Sequence, residues 1–176
     1  TSQDADGGLA WLEAATLFHQ AERTENASKC LDKALALLGE NHRAAALGAE
    51  LKTELGEWRS VTSHLLTRAK GEDGETRAAT LIEAADVYAD RIGDLPRAFA
   101  LYAEALGSGD DAGRASVQLL THARESKAWE LVLDSLAAAD AETVGARLQI
   151  EAYEALRVDA TTLTAAYQRL LATDLT

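Results

Sequence analysis

Apolar residues recur along this chain with the period of a helix and almost nowhere with the period of a strand. Trp11, Ala14, Ala15, Phe18 and Ala21 stand at i, i+3, i+4, i+7 and i+10, and Ala27, Leu31, Ala34, Leu35 and Leu38 form a second such stripe. Gly or polar clusters punctuate the pattern at GEN (39–41), GEW (56–58), GEDGE (71–75), RIGD (91–94), GSGDD (107–111) and RVDATT (157–162). The spacing predicts ten helices in five antiparallel pairs: 9–22 with 27–38, 41–54 with 58–69, 75–90 with 95–106, 110–124 with 128–138, and 142–156 with 161–172. Asn26 is placed to cap the second helix, and Asp94 to cap a helix that carries Pro96 in its first turn. Residues 1–8 and 173–176 read as frayed ends, leaving 9–172 as a single domain.

Composition strengthens the helical reading. The chain has 176 residues, one proline and 5% aromatics against 47% hydrophobic residues, a balance that suits helices and is rich enough in apolar material to fold. Charge then narrows the partners. With 17 Lys+Arg against 29 Asp+Glu the net is -12, which repels a phosphate backbone or an anionic lipid surface. Split at the midpoint, residues 1–88 carry 9 basic and 15 acidic side chains and residues 89–176 carry 8 and 14, so each half is -6. No apolar run approaches the roughly 20 residues of a membrane span. The opening residues lack the parts of a signal peptide, which slightly favours the cytoplasm, and the absence of methionine suggests a piece of something longer.

Two helix pairs carry a more specific pattern. The first reads Trp11-x2-Ala14-Ala15-x2-Phe18 and then Ala27-x3-Leu31-x2-Ala34; the third reads Leu81-x2-Ala84-Ala85-x2-Tyr88 and then Ala98-x3-Tyr102-x2-Ala105. This resembles the tetratricopeptide repeat, a helix hairpin with a period of 34 residues. The resemblance implies an all-α, right-handed α-solenoid of about five antiparallel helix pairs, at 9–38, 41–69, 75–106, 110–138 and 142–172. Independently of any family, Ala15, Ala27, Ala85 and Ala98 are small enough to sit where two helices cross, with Trp11, Phe18, Leu31, Tyr88 and Tyr102 filling the space beside them. Pair two departs from the pattern, with Arg68 where a small residue is expected, and the turn of pair three is one residue longer, ten from Tyr88 to Ala98 rather than nine. Trp58 and Trp129 open second helices at equivalent places.

Reactive groups do not assemble in the sequence. His19, His42, His64 and His122 are dispersed; His19 with Glu22 and His122 with Glu125 have a His-x-x-Glu spacing that so acidic a chain produces by coincidence. Cys30, the one cysteine, reads as a core or boundary residue, Asp110 and Asp111 as helix caps, and Glu50, Glu54 and Arg43 as a solvated surface. No catalytic residue, metal ligand or cofactor is expected.

In the resembled family the first helix of each pair lines a concave groove. By position this implies protein-binding side chains at Leu12, Thr16, His19 and Gln20, then Ala45, Ala49, Lys52 and Thr53, then Ile82, Asp86 and Asp90, then Arg124, and finally Arg147, Glu151 and Glu154. Only Lys52 matches the lysines with which some members clamp a carboxylate. The expected function is a non-enzymatic interaction scaffold that takes a partner peptide or protein. The alternative is a spacer or oligomerisation segment of a larger enzyme or assembly machine, with self-association through an apolar face near Leu163 and Tyr167.

Overall fold

The computed structural model describes residues 2–108, 112–139 and 145–173, and they form helices with no strand among them. Contacts gather the chain into two compact units, Thr1–Glu72 and Asp73–Thr176. The boundary falls inside GEDGE (71–75), which offers its neighbours almost no apolar surface. Division at this point also uncovers an uneven charge: 8 basic and 11 acidic residues leave the first unit at -3, whereas 9 and 18 leave the second at -9.

The first unit holds α1 (Ser2–Gln20), α2 (Thr24–Leu38), α3 (His42–Glu54) and α4 (Trp58–Ala69). α1 packs on α2 and α3 on α4, and α2 joins the two hairpins through α3. Leu12, Ala15, Ala27, Leu31, Ala34, Ala44 and Leu51 are buried together with Cys30, so the alanines do occupy the interior. Residues 2–8, expected to fray, are helical instead. Gly8 is buried, and a Cβ there would lie 2.6 Å from Cγ of Leu38, so the missing side chain lets the start of α1 rest against the end of α2. That contact outweighs the poor helix propensity of a Gly-Gly pair. The buried line of α1 runs through Gly8, Leu12 and Ala15, keeping Ala15 of the expected stripe with Ala14 and Phe18 packed beside it; Leu12 takes the place expected of Trp11, which is 36% exposed with the Lys33 ammonium 4.1 Å from its ring centre. α2 begins earlier than expected, so Asn26 lies in its first turn and Arg23 takes the capping position without a side-chain bond. Asn41 does cap α3, its Oδ1 accepting from the N–H groups of Arg43 and Ala44.

The second unit contains α5 (Gly74–Val87), a π turn (Tyr88–Ile92), α6 (Leu95–Ser108), α7 (Ala112–Ser126), α8 (Trp129–Ala138), α9 (Ala146–Leu156) and α10 (Ala160–Thr173). α6 is its centre. Ala98, Phe99, Leu101, Tyr102, Ala103, Ala105 and Leu106 are all buried, a helix apolar on nearly every side, and it meets α5, α7 and α8. α8 packs more on α6 and α9 than on α7, so the fourth hairpin is the loosest, and α10 packs chiefly on α9.

One backbone feature repeats through both units. Glu22, Gly56, Gly93, Lys127 and Arg157, each at the turn inside a helix pair, adopt left-handed φ values of 56°, 70°, 77°, 56° and 56°. At three of them the next N–H reaches back five residues, from Arg23 to the Phe18 carbonyl, Glu57 to Lys52 and Val158 to Tyr153, and closes the first helix. Glu22 to Gly56 and Gly93 to Lys127 are each 34 residues apart. In the third pair the Asp94 N–H reaches back six residues, to Tyr88. The π turn takes up one extra residue there, which accounts for the longer Tyr88-to-Ala98 spacing in the sequence.

Candidate functional site

Neighbouring first helices are tied together by polar side chains within each unit. In the first unit, His19 on α1 faces α3, its Nε2 3.6 Å from Glu50 and its Nδ1 3.7 Å from Glu54, and the Thr24 hydroxyl donates to Glu54 at 2.8 Å. Glu50 and Glu54 are therefore more than a solvated surface: they face His19 across the two helices. The two ring nitrogens address different carboxylates, so the three groups do not converge on one point. Among the described residues no three His, Cys, Asp or Glu side chains do so in the way a metal requires.

In the second unit Asp86 on α5 is the junction. It accepts from the Tyr102 hydroxyl at 2.6 Å and pairs with Arg114 of α7 at 3.3 Å. Burial, and then the adjacent Asp86 carboxylate, push the Tyr102 phenol above its ordinary range and keep it a donor. The His122 ring stacks on Tyr102 with centroids 6.0 Å apart, and its Nε2 is 3.9 Å from Asp90 in the π turn. Arg124 of α7 binds Glu151 of α9 at 2.6 Å. His19, Asp86, Asp90, Arg124 and Glu151, picked out from the sequence, thus meet partners on the adjacent first helix.

Other expected groove residues lie elsewhere. Leu12, Ala45, Ala49 and Ile82 are buried and fill the spaces between helices, so they present no accessible side chain in this structure. Lys52 has a side chain only 15% exposed; its ammonium donates to the Ser28 hydroxyl at 3.2 Å and pairs with Glu57 at 3.1 Å. It ties α2, α3 and the following turn together and is not placed as a free clamp. Thr53 is exposed, its hydroxyl returning to the Ala49 carbonyl, and Glu154 accepts from the Tyr167 hydroxyl at 2.7 Å. Thr16, Gln20 and Arg147 are exposed. Asp110 and Asp111, expected as caps, lie outside the described residues.

One residue on this face escapes the sequence reading. Leu17 is 66% exposed in the last turn of α1, and with Glu13, Thr16, Gln20 and Arg43 of α3 it lines a shallow cavity of about 290 Å³. Leu17 lies off the buried stripe of its helix, which is the signal that marks it. Beneath α3, Gly48 carries the ring of His64: a Cβ at Gly48 would stand 2.7 Å from Nδ1. Burial, helped by the Lys52 charge and opposed by Asp32, lowers the His64 pKa.

No described helix is long and apolar enough to cross a membrane. Compared with known proteins, the chain matches no family model, no curated protein and no solved structure.

Proposed function

We propose that this chain is a tetratricopeptide-like, right-handed solenoid segment that works as a non-catalytic scaffold, taking a partner peptide or protein on the exposed side of its first helices. The observation that carries this reading is the side-by-side bridging of those helices: α1 to α3 through His19, α5 to α7 through Asp86 and Asp90, and α7 to α9 through Arg124 and Glu151. Bridges of this kind hold the helices as a framework whose outer side chains are free to meet a partner. A 34-residue interval between left-handed turns, from Glu22 to Gly56 in the first unit and from Gly93 to Lys127 in the second, supports the repeat reading.

The test is a pull-down from a native proteome in which each recovered protein is remeasured against T16K, Q20K, D90K and E151K variants. Lys52 and Asp86 are less suitable because their paired side chains are the more buried, 15% and 27% exposed, whereas the paired Asp90 and Glu151 are 62% and 37% exposed. Partners that lose affinity for one or more variants support the scaffold; a set of partners bound equally by all four variants overturns it.

A second reading, a spacer or self-association module, draws on α10. Tyr167 and Leu171 are 42% and 62% exposed on a helix that packs chiefly on α9. Sedimentation of the wild type and an L171E variant decides it: a concentration-dependent dimer that L171E dissociates supports the reading, and a monomer at all concentrations removes it.

A further inference from the structure

The cavity between α1 and α3 has three properties that together describe a ligand. The Leu17 side chain, 66% exposed in the last turn of α1, gives it an apolar wall. Arg43, in the first turn of α3, contributes a guanidinium that makes no ion pair or side-chain hydrogen bond with the described residues, and Glu13 on α1 contributes a carboxylate equally unengaged. The two opposite charges line one small cavity without pairing to each other. Most of the other charges on the first-helix faces are already committed, His19 to Glu50 and Glu54, Asp86 to Arg114 and Arg124 to Glu151. A cation also sits poorly at a helix N-terminus, whose partial positive charge it faces, so an incoming carboxylate would relieve Arg43 of that repulsion.

We infer that this cavity receives one apolar side chain of a partner segment, about leucine in size, bracketed by a carboxylate that pairs with Arg43 and a cationic group that pairs with Glu13. The inference rests on the scaffold reading above and narrows it to a partner chemistry. A volume of about 290 Å³ is sufficient for one large aliphatic side chain. The charge pair sets the direction in which the segment lies, since reversing it would bring like charges together at both ends. The first unit is the less acidic one, at -3, so the partner's carboxylate meets weaker long-range repulsion here than it would on the second unit.

The experiment is selection of phage-displayed random 12-residue peptides on the whole chain, followed by synthesis of the enriched sequences and fluorescence-anisotropy titration. Enriched peptides are expected to share an aliphatic residue flanked by an acidic residue on one side and a basic residue on the other. L17D is expected to weaken them at least tenfold and R43E about fivefold or more. Swapping the two flanking charges in the peptide is expected to restore binding to an E13R/R43E double variant. All three positions are exposed, and equal helicity and melting of each variant by circular dichroism shows that the fold is intact. Peptides whose affinity is unchanged by both L17D and R43E overturn this inference; if D90K or E151K abolishes their binding, the scaffold reading still stands. Enrichment of sequences without the flanking charges also overturns it, and failure of any peptide to bind counts against both readings.

Discussion

Gly48 gives the sharpest test of the idea that small residues set the helix crossings. Replacing it with alanine should raise the helix propensity of α3 by about 1 kcal/mol. The new Cβ would also stand 2.7–2.8 Å from three atoms of the His64 ring, well inside van der Waals contact. Overpacking of this kind costs roughly 1–3 kcal/mol, so G48A is expected to destabilise the first unit by a net of up to about 2 kcal/mol. In an H64A background the obstruction is gone and only the propensity gain remains, so the same substitution should stabilise by about 1 kcal/mol. The double-mutant cycle should therefore show a coupling of roughly 1–3 kcal/mol. Urea unfolding in a W129F background, where the remaining tryptophans Trp11 and Trp58 both report on the first unit, measures all four corners. A G48A variant at least as stable as the wild type, with coupling below about 0.5 kcal/mol, would refute the close-approach argument.

The pH dependence should carry the signature of His64, whose folded pKa is lowered mainly by burial. Below its unfolded value near 6.5 the unfolded chain takes the proton more readily than the folded one, so the stability tied to His64 is full above that pH and is lost as pH falls toward the lowered value. Urea midpoints between pH 7.5 and 5 should fall more steeply for the wild type than for H64Q; equal slopes would contradict this. Tyr102→Phe removes the donor to Asp86 and should cost about 1.5 kcal/mol in thermal or urea unfolding of the second unit; a neutral result would mean that water replaces the hydroxyl without loss. Lys127 holds a left-handed conformation that costs a residue with a Cβ about 1–2 kcal/mol, partly offset by the entropy of glycine, so K127G should stabilise by roughly 0.5–1 kcal/mol. E151K, at a largely exposed pair with Arg124, should change stability by less than about 1 kcal/mol, so any strong effect on partner binding is separable from folding.

The helices themselves were legible in the sequence because their cause is local. A 3.6-residue apolar period, alanine and leucine in quantity and Gly-polar breaks are properties of neighbours along the chain, and they located α3, α4, α6 and α8 to within two residues at each end. The one-residue irregularity of the third pair was visible too, as a spacing of ten. Its remedy was not: whether an added residue lengthens a loop or winds into a π turn depends on how Tyr88 and Ala98 pack, and both are buried here. Periodicity likewise assigned each apolar residue to a stripe but could not fix the stripe's edge, since Trp11 and Leu12 differ by only 100° around α1 and the position of α2 decided which of them was buried. The same limit applied to the binding face. Position in the resembled repeat brought His19, Asp86, Asp90, Arg124 and Glu151 forward, but Leu12, Ala49 and Ile82 are buried, and Lys52 is drawn into the fold by Ser28 and Glu57 from elsewhere in the chain. Charge divided evenly at the midpoint of the sequence and unevenly at the boundary the contacts chose. What the chain wrote for itself is the set of rods; which side of each rod meets water is a property of its neighbours in space, and that was decided only by the tertiary structure.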